Sequence, residues 1–211
     1  MVIRPIIPYV FDSGVTFDAG FIISAILIVC LSVLASISLS GYFSERYKMN
    51  RKKLAVCFAL IAVCVSLTMI CFFGSSAIAV KGILFVSILA LSSFEDIKTR
   101  ECDDHLHVMI AVAAFIGTNL RDLPGMIFAG FFAGGVIILS KVIGKGKIGG
   151  ADIKMAAAGA FLLGFDRGIF GLLTGTLLAV FVNLLRKNRK EGFPMIPYLA
   201  AGFTAAYFLQ G

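Results

Sequence analysis

The stretch FIISAILIVCLSVLASISLSGY, residues 21–42, runs for 22 residues without a charge. A bilayer core about 30 Å thick needs about 20 apolar residues per helix, and soluble folds rarely sustain such a run. Comparable segments recur at approximately 54–73, 76–94, 105–120, 124–143, 152–165, 168–185 and 195–210. With the first taken as 20–42, the chain is predicted to be an all-α, polytopic membrane protein with about eight transmembrane helices. Helices are the expected form because lipid cannot satisfy open backbone. The fourth and sixth segments are short, which predicts tilted spans or polar ends dipping into the interface. Of 211 residues, 59% are hydrophobic and 15% charged, against roughly a quarter charged in soluble domains.

The first run exceeds the roughly 7–15 residues of a signal-peptide core, and its basic cluster follows it. It therefore reads as a retained span with the N-terminus outside. The basic clusters RYKMNRKK (46–53) and RKNRK (186–190) set the orientation. If both face the cytoplasm, alternation puts 95–104 and 144–151 there too, and both termini outside. Fifteen of the nineteen Lys and Arg then lie inside, the exceptions being Arg4, Lys81, Arg121 and Arg167. Lys81 is expected to snorkel to the outer surface. The net charge of +7 follows from topology and anionic headgroups, so membrane lipid is an implied partner and nucleic acid is not.

No linker or repeat divides the chain, and the loops are too short for a nucleotide-binding domain. Two parts are expected: residues 1–74, two spans with a basic loop, and residues 75–211, which hold the residues suited to chemistry. Cys57, Cys64 and Cys71 repeat every seven residues along one stripe, and all five cysteines read as small packing residues. No zinc ribbon or disulfide framework is indicated. GKGKIGGADIK resembles a phosphate loop but lacks the Gly-Lys-Ser/Thr ending and a preceding strand.

Acids gather at two expected inner helix ends, SSFEDIKTRECDDH (92–105) and GGADIK (149–154). That topology puts Asp96 and Asp152 at one depth on one face, although 56 residues separate them. Ionisable groups at such depth are costly and mark function. Asp152 precedes the small-residue run Ala156-Ala157-Ala158-Gly159-Ala160, which permits a second helix to approach closely. Two carboxylates about 3 Å apart cannot both ionise, so they share a proton. One can then act as general base toward water and the other as acid toward a carbonyl, without metal or cofactor. Metal ligation by DDHLH (103–107) is disfavoured, since His105 and His107 point about 200° apart on a helix. Asp103 or Asp104 is expected instead to cap the fourth span.

These motifs resemble the type IV prepilin peptidase family, membrane aspartic peptidases named for a GxGD motif. DIKTRECDD (96–104) is similar to the family's first motif, GGADIK to its second, and FPMIPYLAAGF (193–203) to the opening of its last helix. The resemblance covers about residues 75–211. It implies an endopeptidase that removes the basic leader of prepilins or pilin-like proteins at the cytoplasmic face of the inner membrane, with Asp96 and Asp152 as the dyad. Gly149, Gly150 and Ala151 would keep the chain compact beside Asp152. Lys154 would bias its ionisation, hold an acidic part of the substrate, or simply reach headgroups. Glu95, Glu101, Asp103 and Asp104 would receive the basic leader. Pilin helices would enter beside Ala129-Gly130 and Gly134-Gly135, which read equally well as helix-packing sites.

The sequence departs from the family pattern in three places. Ala151 replaces the glycine before the second Asp. Glu101-Cys102-Asp103-Asp104 replaces Arg-Ile-Pro-Asn, leaving Asp103 or Asp104 as alternatives to Asp96. The cysteine-paired insert of longer members is missing between the first two spans, which predicts cleavage without N-methylation and no S-adenosylmethionine site. Two other classes fit the same acids: an ion- or proton-coupled carrier, and a non-catalytic subunit of a pilus or secretion assembly. The substrate's identity and the oligomeric state are not encoded in these motifs.

Overall fold

The computed structural model describes residues 4–5, 19–144, 149–185 and 193–210. The basic stretch RKNRK and most of GKGKIGG lie outside the described residues. Among the described residues, eight α-helices lie in the predicted segments: α1 (Ala19–Tyr47), α2 (Arg51–Phe73), α3 (Ala77–Thr99), α4 (Asp104–Ala113), α5 (Leu123–Ile143), α6 (Gly150–Leu163), α7 (Phe165–Leu185) and α8 (Ile196–Tyr207). A 3-10 turn, Leu120–Asp122, leads into α5. The only extended pairing among the described residues joins Arg4–Pro5 to Leu209–Gln210.

Among the described residues, five helical segments are long and apolar enough to cross a bilayer: Ala19–Tyr47, Arg51–Phe73, Ala77–Thr99, Leu120–Ile143 and Phe165–Leu185. At 1.5 Å per residue the 10 residues of α4 rise only about 15 Å, and α6 and α8 have 14 and 12 residues. Those three are shorter than a full span, a broader shortfall than the sequence suggested.

By packing, the chain falls into two units, Ile7–Ser87 and Met1–Ile6 with Ile88–Gly211. The division falls inside α3. In the first unit, Lys48 at φ 51° ends α1, and Asn50 opens α2 by accepting the Lys52 and Lys53 N–H groups at 3.0 and 3.4 Å. The basic loop is thus three residues long, the rest of its charge lying on the helices. Phe43 meets Phe58 edge to face at 5.8 Å and joins α1 to α2. The buried stripe of α2 is Leu54, Phe58, Ala62, Ser66, Met69 and Ile70. Cys57, Cys64 and Cys71 lie off that stripe and are exposed, which corrects their reading as packing residues.

In the second unit α6 is central, packed by α4, α5, α7 and α8. Its small residues explain this. Met155, Ala156 and Ala160 are fully buried, and a Cβ at Gly159 would lie 2.7 Å from the Phe203 ring of α8. Gly130 and Gly134 of α5 pack against Ala157 of α6, each within 3.3 Å of where a Cβ would sit. At Gly130 and Gly134 that small face is filled by the protein's own helix, as the packing reading expects, whereas a Cβ at Gly135 would meet nothing. Gly164, at φ 79°, ends α6 and turns the chain straight into α7.

Candidate active site

Asp96 sits in the last turn of α3, where Arg100 at φ 61° stops the helix. Its side chain is 7% exposed. Oδ2 accepts the N–H of Ile196, the first residue of α8, at 3.1 Å. The first N–H groups of a helix lack intrahelical partners, and Asp96 supplies one from another helix.

Asp152 is the third residue of α6 and is 9% exposed. Its Oδ2 reaches back to accept the Gly149 N–H at 3.1 Å. A carboxylate at this position satisfies an orphan donor and lies at the favourable end of the helix dipole. Gly149 is constrained as well, since a Cβ there would lie 3.1 Å from that oxygen, whereas one at Gly150 would meet nothing. Burial, then the nearby Asp96 charge, pushes the Asp152 carboxyl up to about 6, against smaller opposing effects of the Gly149 N–H and Lys141. The acid whose charge adds to the effect of burial on Asp152 is Asp96.

The turn from α3 to α4 carries the other expected acids. Glu95 is 1% exposed, and its Oε2 accepts the Asp103 N–H at 3.0 Å. It therefore braces the turn, and its burial corrects the expectation that it receives substrate. Asp103 stands at the N-cap of α4 but makes no capping hydrogen bond. It lies 3.8 Å from His105 Nε2. Asp104 opens α4 and meets Lys154 Nζ at 2.6 Å, both exposed. That ammonium keeps the Asp104 carboxyl below its usual range. The pairing gives Lys154 a partner that sequence reasoning did not weigh.

A cleft of about 560 Å³ lies between this turn, Arg100–Asp104, and the start of α6, with Gly149, Gly150, Ala151 and Lys154 on its other wall. Glu101, Asp103 and Asp104 give it an acidic side. Burial pushes the Cys102 thiol in its wall up to about 12, which keeps it protonated and a poor nucleophile. His105 is exposed, while His107 is buried, at 6% exposure. Burial holds the His107 imidazole below its usual range, and therefore neutral. No group of metal-binding side chains occurs among the described residues.

Residues 83–184 match the family model described as the type IV leader peptidase family. That segment belongs to the type IV leader peptidase family. With the apolar spans, this match supports a membrane peptidase. No curated protein and no solved structure matches the chain. The leader peptidase segment contains Asp96, Asp152, the cleft and GGADIK. It stops before FPMIPYLAAGF, whose Ile196 holds Asp96. Sequence reasoning noticed that last motif without finding its contact, and it missed the brace from Glu95 and the buried His107. Only the short spacing between Glu95 and Asp103 offered a local signal.

Proposed function

We propose that the protein is a membrane aspartic endopeptidase that removes the basic leader of prepilin-like proteins at the cytoplasmic face, using Asp96 and Asp152. One observation carries this reading: two buried acids from separate motifs, Asp96 and Asp152, lie in one leader peptidase segment, and the Asp96 charge adds to burial in raising the Asp152 carboxyl. Such a pair favours a shared proton near neutral pH. The ionised carboxylate takes a proton from water as the water oxygen attacks the scissile carbonyl carbon. The protonated partner gives its proton to the carbonyl oxygen. The tetrahedral intermediate then collapses, the C–N bond breaks, and the departing amine receives a proton.

The acidic side of the cleft supports a basic leader as substrate, with Glu101, Asp103 and Asp104 as its contacts. Nothing in this chemistry calls for a metal, and cleavage is proposed without N-methylation. The test is a synthetic peptide with a basic leader, offered to the purified protein in lipid nanodiscs. Asp96→Asn and Asp152→Asn should each lower the cleavage rate by at least about 100-fold, the lower range of a lost acid–base group. Folding should be retained. Cleavage that survives either substitution would sink the proposal. Charge-coupled flux without cleavage would favour a carrier instead.

A further inference from the structure

Helix α8 begins beyond the residues shared with the leader peptidase family, yet its first backbone N–H is bound to Asp96. The bond joins residues 100 positions apart, and both ends are buried, with Ile196 at 0% exposure and Asp96 at 7%. Pro197, next in the helix, has no N–H to offer. The Ile196 amide is thus the donor at this helix start that meets the carboxylate. An N–H bound to a carboxylate forms a charge-assisted bond that orients the acceptor as well as stabilising it.

The bond fixes Asp96 only as firmly as α8 is fixed, and α8 is held from two sides. Against α7, a Cβ at Gly175 would lie 2.8 Å from Leu199 Cα, and one at Gly202 would overlap the Gly171 carbonyl oxygen. Against α6, the Phe203 ring fills the notch at Gly159. Close backbone approach of this kind leaves little room for sliding. Helix α6 also carries Asp152, so both acids are referred to one packed frame.

The geometry points to α8 as a positioning element for the reaction: the Ile196 N–H holds Asp96 Oδ2, leaving Oδ1 for proton exchange with water or substrate. This rests on the peptidase reading of Asp96. Ile196 itself touches no reacting atom and acts through the carboxylate.

The test replaces the Ile196 backbone amide with an ester, which removes the N–H and keeps the side chain, in the full chain in nanodiscs. The control is an ester at Leu199, whose N–H bonds to Met195 O at 3.2 Å within α8. The Ile196 ester should lower kcat for a basic-leader peptide about tenfold or more, the cost of weakening one charge-assisted bond, with KM within about twofold. The Leu199 ester should change kcat by less than about threefold, since it weakens a neutral bond. Equal effects of the two esters would overturn the proposal. Thermal unfolding gives a readout independent of activity. The Ile196 ester should lower Tm less in an Asp96→Ala background than in wild type, while the Leu199 ester lowers both equally. An identical loss in both backgrounds would also overturn it. If the unmodified protein cleaves no leader peptide, the peptidase reading fails, and the Tm coupling still reports whether the bond exists.

Discussion

Gly149 and Asp152 constrain each other: the Gly149 N–H binds Oδ2 of Asp152 at 3.1 Å, and a Cβ on Gly149 would sit equally close to that oxygen. Gly150 has open space around the same position. Gly149→Ala should therefore displace the carboxylate by a few tenths of an ångström and lower kcat about tenfold or more, in line with the sensitivity of catalysis to placement. Gly150→Ala should stay within about threefold, because surface changes without such contacts cost little. Leader-peptide cleavage kinetics on the two variants decide the matter, and equal tolerance would refute the constraint.

The elevated Asp152 carboxyl carries a stability cost that depends on pH. Its ordinary value is 3.8 and its folded value about 6. Between those values the folded protein holds the proton more tightly than the unfolded chain, so this contribution to stability is present in acid and lost as pH rises through about 6. Asp152→Asn does not titrate and should gain on wild type over that interval, by about 3 kcal/mol once fully developed. Melting temperatures of the two proteins should converge near pH 4 and separate toward pH 7. A constant difference across this range would contradict the assignment.

Cys102 lines the cleft with a thiol pushed up to about 12. Thiol-blocking reagents at pH 8 should leave cleavage unchanged, and Cys102→Ser should retain activity within about threefold, because only the thiolate is reactive. Inhibition that disappears in Cys102→Ser would reveal a role for the thiol.

Lys154 and Asp104 form an exposed ion pair, and such pairs contribute little. Lys154→Met should leave Tm nearly unchanged. If the acidic wall receives a basic leader, freeing Asp104 should lower KM modestly, by about two- to threefold at low salt, with the gain fading at high salt. An increase in KM would instead assign Lys154 to an acidic part of the substrate.

The legible parts of this protein were those encoded locally. Uncharged runs marked the helices, and GGADIK combined a helix start, two glycines and an acid within six residues. The helix lengths were less legible, because α4 and α8 end through local turns that hydropathy does not register. Glu95 looked like one more surface acid. Its burial depends on the way Arg100 reverses the chain and brings the Asp103 N–H back to it. The Ile196–Asp96 bond was beyond reach for a different reason. It spans 100 residues and uses a backbone group, for which residue identity carries no signal.

The fit of Phe203 into Gly159 sets a datum for the proposed site. A ring seated where a side chain would begin acts as a detent: α6 cannot advance by a residue or rotate without ejecting it. The depth of Asp152 is thus gauged from an aromatic 51 positions later in the chain. Filling that notch with a methyl would shift the acid's elevation without touching any polar atom.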